Sequence, residues 1–309
     1  MTLVSRTVAF FSLFFALTLP LQAKDVRVGG DRPAVLKLPH FYNAKKSYSL
    51  IVLLHGRGNN ATLTDLYLGL SRSQPFHDYL LLLPEGTVRD DGQQVWNATE
   101  SCCATNNKDV DDSQYLQDLV AEVKSKYNVD PKRVYLYGHS NGGFMSYRLA
   151  CDTNGVFAGV VSVAGSEFAN AADCKTTTPI KILQIHGTDD SIVPFDAEAS
   201  GKTYPGAFKV VERWAERNHC QSYSEHPRSL NLVLIKLEPG LDENGKPTII
   251  GDFTDYISLG FRPETDQYIY DDCANGSKVG LWKINGSNHG PVFLGENFVG
   301  KTLKFMGDK

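Results

Sequence analysis

The chain is expected to fold as an α/β protein, a mostly parallel, doubly wound sheet with an acidic insertion before the last strand. Three observations carry that expectation. Apolar runs of five to seven residues alternate with segments of helical spacing. The runs are continuous rather than alternating in polarity, as strands buried on both faces must be. One run also leads directly into Gly138-His139-Ser140-Asn141-Gly142-Gly143, a turn sequence suited to joining strand to helix.

The elements follow in order. Residues 1–23 read as a secretory signal peptide, with Arg6 as its basic region and an apolar core from Val8 to Leu19 too short to span a bilayer. No later stretch is long and apolar enough to cross a membrane. Residues 24–309 then fit one catalytic domain. Ser49–Leu54 is a buried strand ending in His55-Gly56-Arg57-Gly58, and Tyr79–Leu83 a second, closed by Pro84-Glu85-Gly86. Leu116, Leu119, Val120 and Val123 share one face of a helix over 112–127. Strands at 133–137, 158–163 and 180–185 follow, with a helix after Gly143. A helix at 208–217, a strand at 278–284 and a helix at 298–306 complete the alternation. Residues 221–272 break it: they carry ten acidic and four basic residues with several turn signals. This stretch is expected to be an insertion bracketed by Cys220 and Cys273 and overhanging the active site. Asp242-Glu243-Asn244-Gly245 lacks the spaced ligands of a calcium loop, so a solvated acidic face is the plainer reading.

Charge and cysteines narrow the function. The net charge is −4, with no basic run and no aromatic-plus-basic stripe, which argues against nucleic acid as a partner. Six cysteines behind a signal peptide favour disulfides and a secreted or periplasmic location. Adjacent cysteines rarely bond each other, so Cys102 and Cys103 are each expected to reach Cys151, Cys174, Cys220 or Cys273. No Cys/His metal spacing occurs, and neither metal nor cofactor is expected.

Chemistry concentrates at strand ends, where ligands of such sheets bind. Gly138-x-Ser140-x-Gly142 after a strand is a nucleophile elbow, which lifts a serine hydroxyl above the sheet. A serine needs a base to take its proton and a carboxylate to orient that base. On this elbow the order along the chain is Ser, Asp or Glu, then His. The strand ending at Ile185 is followed by His186-Gly187-Thr188-Asp189-Asp190, offering two carboxylates, of which Asp190 lies further into the loop. Of the later histidines, His219 and His226 lie at a helix end and in the insertion. His289, in the loop after the last strand, is the expected base. His55 and His186 are expected to hydrogen-bond loop backbone. The oxyanion hole is expected from the backbone N–H groups of Asn141 and Arg57. Trp96, by stacking on a ring, and His139, beside the elbow, are the candidate substrate-binding side chains.

Taken together, the motifs resemble the exported polyhydroxybutyrate depolymerase and feruloyl esterase family of α/β-hydrolases. The carriers are Leu54-His55-Gly56, Trp96-Asn97 with Cys102-Cys103, Val110-Asp111-Asp112, Tyr127 to Tyr135 leading into the elbow, Arg148-Leu149-Ala150-Cys151, His186-Gly187-Thr188-x-Asp190 and Gly286-x-x-His289. The resemblance implies an α/β-hydrolase fold, Ser140 as nucleophile, Asp190 as acid and His289 as base. It further implies that Cys220 pairs with Cys273, and that Cys102 and Cys103 pair with Cys151 and Cys174. Two features depart from the family: Ser287-Asn288 replaces glycines before the histidine, and the 221–272 stretch is long. No surface-binding module follows Lys309, which points to soluble oligomers or small esters rather than crystalline polymer. The expected activity is therefore a serine esterase acting through an acyl-enzyme. Short-chain 3-hydroxybutyrate oligomers lead as substrates, with feruloyl or acetyl groups on plant polysaccharide as the alternative. A serine peptidase and a non-catalytic binding protein rank below these.

Overall fold

Residues Tyr48–Leu54 are buried without exception. Leu50, Val52 and Leu54 enter one hydrophobic core and Ile51 and Leu53 another. A strand that buries alternate residues in two cores must have helices on both sides, because successive side chains point to opposite faces. The computed structural model describes residues 25–103, 110–235, 238–241, 247–250, 263–293 and 295–308. The expected signal peptide at 1–23 lies outside the described residues.

Ten strands form the main sheet: β1 (Asp25–Val28), β2 (Ala34–Lys37), β3 (Tyr48–Leu54), β4 (Tyr79–Leu83), β5 (Val129–His139), β6 (Gly159–Val163), β7 (Lys181–Gly187), β8 (Ser222–Leu230), β9 (Thr265–Asp271) and β10 (Val279–Ile284). Their spatial order is β1-β2-β4-β3-β5-β6-β7-β10-β9-β8. The central run from β4 to β10 is parallel. Antiparallel pairs extend it at both rims. Among the described residues the helices of eight residues or more are α1 (Ala61–Leu68), α2 (Asp112–Lys126), α3 (Asn141–Asp152), α4 (Ala207–Arg217) and α5 (Gly295–Met306). Leu116 and Val123 of α2, Phe144 of α3 and Trp214 of α4 fill one core. Leu68 of α1 and Phe298 and Leu303 of α5 fill the other. This is the α/β-hydrolase arrangement that the alternation of runs predicts.

The stretch from 221 to 272 differs from expectation. Its two ends are strands β8 and β9, which widen the sheet rather than leave it. The nine residues of β8 are exposed except Leu230, which is half-buried, and Pro227 interrupts them. Proline has no N–H to donate, so it fits an edge strand with one free side. Such a strand has no apolar run for a sequence reading to find. Glu238–Leu241 pairs with Pro247–Ile250 in a separate hairpin, and Val233–Ile235 pairs with Val292–Phe293.

The cysteine pairing also needs correction. Cys220 joins Cys273 across the ends of that stretch. Cys151, however, joins Cys174, and Cys102 joins its neighbour Cys103. Geometry explains why the cross-pairing fails. Cys102 Sγ lies 3.9 Å from the side-chain nitrogen of Asn141, at the start of α3. Cys151 is near the other end of that helix, about 15 Å further along its axis. Bridged cysteines need Cα atoms within about 7 Å.

Candidate active site

Strand β5 ends and α3 begins at Ser140, whose φ of 55° and ψ of −120° put it outside the ordinary strand and helix regions. A side chain is strained there, and the neighbouring backbone holds it in place. Ser140 N–H donates to the carbonyl of Val163 on β6 at 2.8 Å. A Cβ on Gly142 would run into the carbonyl oxygen of Leu54 on β3, and one on Gly138 into that of Gly142 itself. The two outer glycines are therefore required by the close approach of β3, β5 and α3. The N-terminal end of α3 adds a partial positive charge at the hydroxyl.

Asp190 follows β7, and His289 follows β10, the strand beside it in the sheet. That adjacency brings together two residues far apart in sequence. His289 Nδ1 donates to Asp190 Oδ2 at 2.8 Å. Asp190 Oδ1 accepts the backbone N–H groups of Ile192 and Val193, both at 2.9 Å. A second imidazole also reaches the carboxylate, with His186 Nε2 at 3.2 Å from Oδ2. Burial pushes the Asp190 carboxyl up, but the hydrogen bonds from His186 and His289 and the electrostatic pull of the two imidazoles outweigh it and hold the group well below the usual carboxylate range. Asp189, the alternative carboxylate, instead accepts the hydroxyl of Thr188 at its own exposed position.

The role of His186 exceeds the loop-backbone contact expected from sequence. Its Nε2 does meet the carbonyl of Val193, at 2.8 Å. Its Nδ1 faces the Gln184 amide nitrogen at 3.0 Å, and the carbonyl oxygen of that amide accepts from Tyr147 at 2.9 Å. An amide N–H can only donate, so Nδ1 is the accepting nitrogen and Nε2 carries the proton. The signal in the sequence was the alternation Gln184-x-His186 on one face of β7, which acquires meaning only once Tyr147 is known to lie opposite.

Ser140 and His289 line one cavity of about 630 Å³, with Arg57, Gln93, Cys102, Cys103, His139, Phe144 and Tyr204 among its walls. The backbone N–H groups of Arg57 and Asn141 take no hydrogen-bond partner among the described residues. Asn141 is fixed by a two-way bond with the Trp96 backbone, 2.7 Å to its Oδ1 and 3.0 Å from its Nδ2. Trp96 itself does not reach the cavity, against expectation. Its ring is fully buried, and its indole N–H donates to the carbonyl of His55 at 3.1 Å. With its polar edge satisfied and its ring buried, it supports the loops at His55 and Asn141 and offers no platform to a substrate. His139 does line the cavity, yet its Nε2 is occupied by the carbonyl of His289 at 3.0 Å. Burial, with the His289 imidazole adding to it, pushes His139 down to about 4, so it is neutral near pH 7. Among the described residues the metal-like grouping is Cys151, Glu167 and Cys174, and a disulfide already joins its two sulfurs.

Known proteins resemble this chain in sequence and in fold. Feruloyl esterase B of Piromyces equi is 27% identical over 279 residues, covering 87% of this chain and 45% of that protein. Probable feruloyl esterase C of Aspergillus niger (strain ATCC MYA-4892 / CBS 513.88 / FGSC A1513) is 30% identical over 215 residues, 68% of this chain and 71% of that one. The chain thus spans less than half the length of the first of these relatives. Among solved structures, an acetyl xylan esterase from Aspergillus awamori superposes with a TM-score of 0.63, at 12% identity, over 93% of this chain and all of that one, a likeness of fold. The profile described as Phospholipase/Carboxylesterase matches residues 42–226, more than half of the sequence. The chain belongs to that family and has the α/β-hydrolase fold.

Proposed function

We propose that the protein hydrolyses feruloyl or acetyl esters carried by plant polysaccharide, with Ser140 as nucleophile, His289 as general base and Asp190 as its orienting carboxylate. The observation that carries the mechanism is the 2.8 Å bond from His289 Nδ1 to Asp190 Oδ2 beside the cavity that Ser140 also lines. That bond leaves Nε2 free to accept the Ser140 proton as Oγ attacks the ester carbonyl. The tetrahedral oxyanion is met by the N–H groups of Arg57 and Asn141. His289 returns the proton to the departing alcohol, leaving an acyl-serine. A water then attacks, gives its proton to His289 and releases the acid.

The substrate class rests on relatives named feruloyl esterase B and probable feruloyl esterase C, together with a bifunctional acetylxylan esterase/xylanase of Neocallimastix patriciarum that matches 59% of this chain. This inverts the order expected from the motifs alone, which put 3-hydroxybutyrate oligomers first. Those oligomers stay as the second reading, on the strength of the motif set from Leu54 to His289. Three disulfides favour an oxidising, exported setting, and among the described residues no helix is long and apolar enough to cross a membrane.

The test is a substrate panel of methyl ferulate, acetylated xylan and 3-hydroxybutyrate trimer, run on wild type and Ser140→Ala. Turnover should fall by at least about 10³-fold in the variant at an unchanged melting temperature. Wild-type turnover by Ser140→Ala would overturn the mechanism, and hydrolysis of the trimer alone would overturn the substrate class.

A further inference from the structure

The charges around the active cavity do not match the protein that surrounds it. The whole chain is acidic, at −4, yet among the described residues the fully charged side chains lining the cavity are both cations, Arg57 and Lys202, and no carboxylate is among them. The two are held differently. Arg57 Nε donates to Gln93 Oε1 at 2.8 Å, across the same wall, and Asp91 lies 3.6 Å from its guanidinium. Lys202 is exposed and its ammonium makes no ion pair among the described residues. Its backbone is nevertheless fixed: Lys202 N–H donates to Ala197 O at 2.9 Å, and the hydroxyl of the next residue, Thr203, lies 3.2 Å from that of Ser101. An unpaired ammonium on an anchored turn at the cavity wall gives nothing to a neutral ester. It gives a charge-assisted hydrogen bond to an anionic one.

We propose that the cavity selects esters whose substrate carries a second, free carboxylate, bound at Lys202 with Arg57 reinforcing the field. This rests on the esterase reading above and narrows it. Such a carboxylate has two chemical sources: a uronic acid within an esterified polysaccharide, or the acid end of a hydroxyacid oligomer. A carboxylate within a Debye length of two cations also raises the encounter rate, so the preference is sensitive to salt.

The experiment compares kcat/KM within matched pairs. One pair is the 3-hydroxybutyrate dimer as free acid and as its methyl ester. The other is an acetylated xylo-oligosaccharide with and without a uronic acid branch. The anionic member of at least one pair should be preferred, and the pair that shows it identifies the source. Raising the salt to about 0.5 M should erode that preference. Lys202→Glu should lower the anionic-to-neutral ratio by about tenfold, while Lys202→Arg retains it. A ratio of one or below in both pairs, or a ratio unmoved by Lys202→Glu, would overturn the proposal and leave the esterase reading standing. Failure to hydrolyse any member of either pair while methyl ferulate is turned over would overturn this proposal alone, and failure on methyl ferulate as well would overturn both.

Discussion

The Ser140 turn and the Asp190–His289 contact are held in place by different means. At the turn, backbone meets backbone: β3, β5 and α3 approach so closely that Gly138 and Gly142 have no room for a side chain. At the contact, side chains do the holding, in a buried series from Tyr147 through Gln184 and His186 to Asp190 and His289. The first device is rigid and tolerates no added atom. The second is adjustable and depends on each hydrogen being on the right nitrogen. On the proposed mechanism, a rigidly held nucleophile is served by a base whose position rests on adjustable hydrogen bonds.

The largest effect is expected where backbone is crowded. Gly142→Ala places a methyl group against the carbonyl oxygens of Leu54 and His55, neither of which can move without shifting β3. Such overpacking should cost about 3 kcal/mol or more. Thermal unfolding of the variant should show a midpoint several degrees lower, with loss of esterase activity. A variant melting with wild type would mean that the elbow has slack and that the contrast with the acid–base contact is false.

That contrast also explains what could be read from the chain. The elbow is contiguous, so Gly138, Ser140 and Gly142 announce themselves. The meeting of Asp190 and His289 was legible because each follows a strand, and neighbouring parallel strands bring such ends together. His186 was read only as a backbone partner, since nothing in the sequence says that Tyr147 and Gln184 meet across α3 and β7. Trp96 was mistaken for a binding surface because an aromatic near a motif looks alike whether buried or exposed. Strands β1, β2, β8 and β9 escaped notice because short or solvent-facing strands at the rims lack a continuous apolar run. The Cys102–Cys103 link escaped because it depends on where α3 starts and ends.

A smaller effect should appear along the side-chain series. His186→Leu removes one donor from Asp190, leaving the carboxylate with more charge to share with His289. The imidazolium is then better stabilised, and the acid limb of the kcat/KM profile should move to higher pH, with activity near pH 7 lower by about three- to tenfold. His186→Gln, whose amide can still donate, should recover part of the shift. A uniform loss of activity with no movement of the limb would reduce His186 to a packing role.

The subtlest expectation concerns His139, which belongs to both regions: it sits on the elbow and donates to the carbonyl of His289. Its pKa is pushed down to about 4, first by burial and then by the neighbouring imidazole. The unfolded chain protonates this residue near 6.5, so between those values the unfolded state binds more protons than the folded one. Its contribution to stability is therefore complete above pH 6.5 and is lost as the pH falls toward 4. Asp190, held low, contributes in a separate window: its share persists down to the ordinary carboxylate range and is lost only below it. His139 is only partly shielded from solvent, which reduces the effect to about 1 kcal/mol, or about 2–4 °C in the melting midpoint. Melting curves from pH 7.5 to pH 4.5 should fall more steeply for wild type than for His139→Gln, which keeps a donor for His289 but cannot titrate. Parallel slopes would place the acid sensitivity elsewhere and leave the elbow and the base loop joined by packing alone.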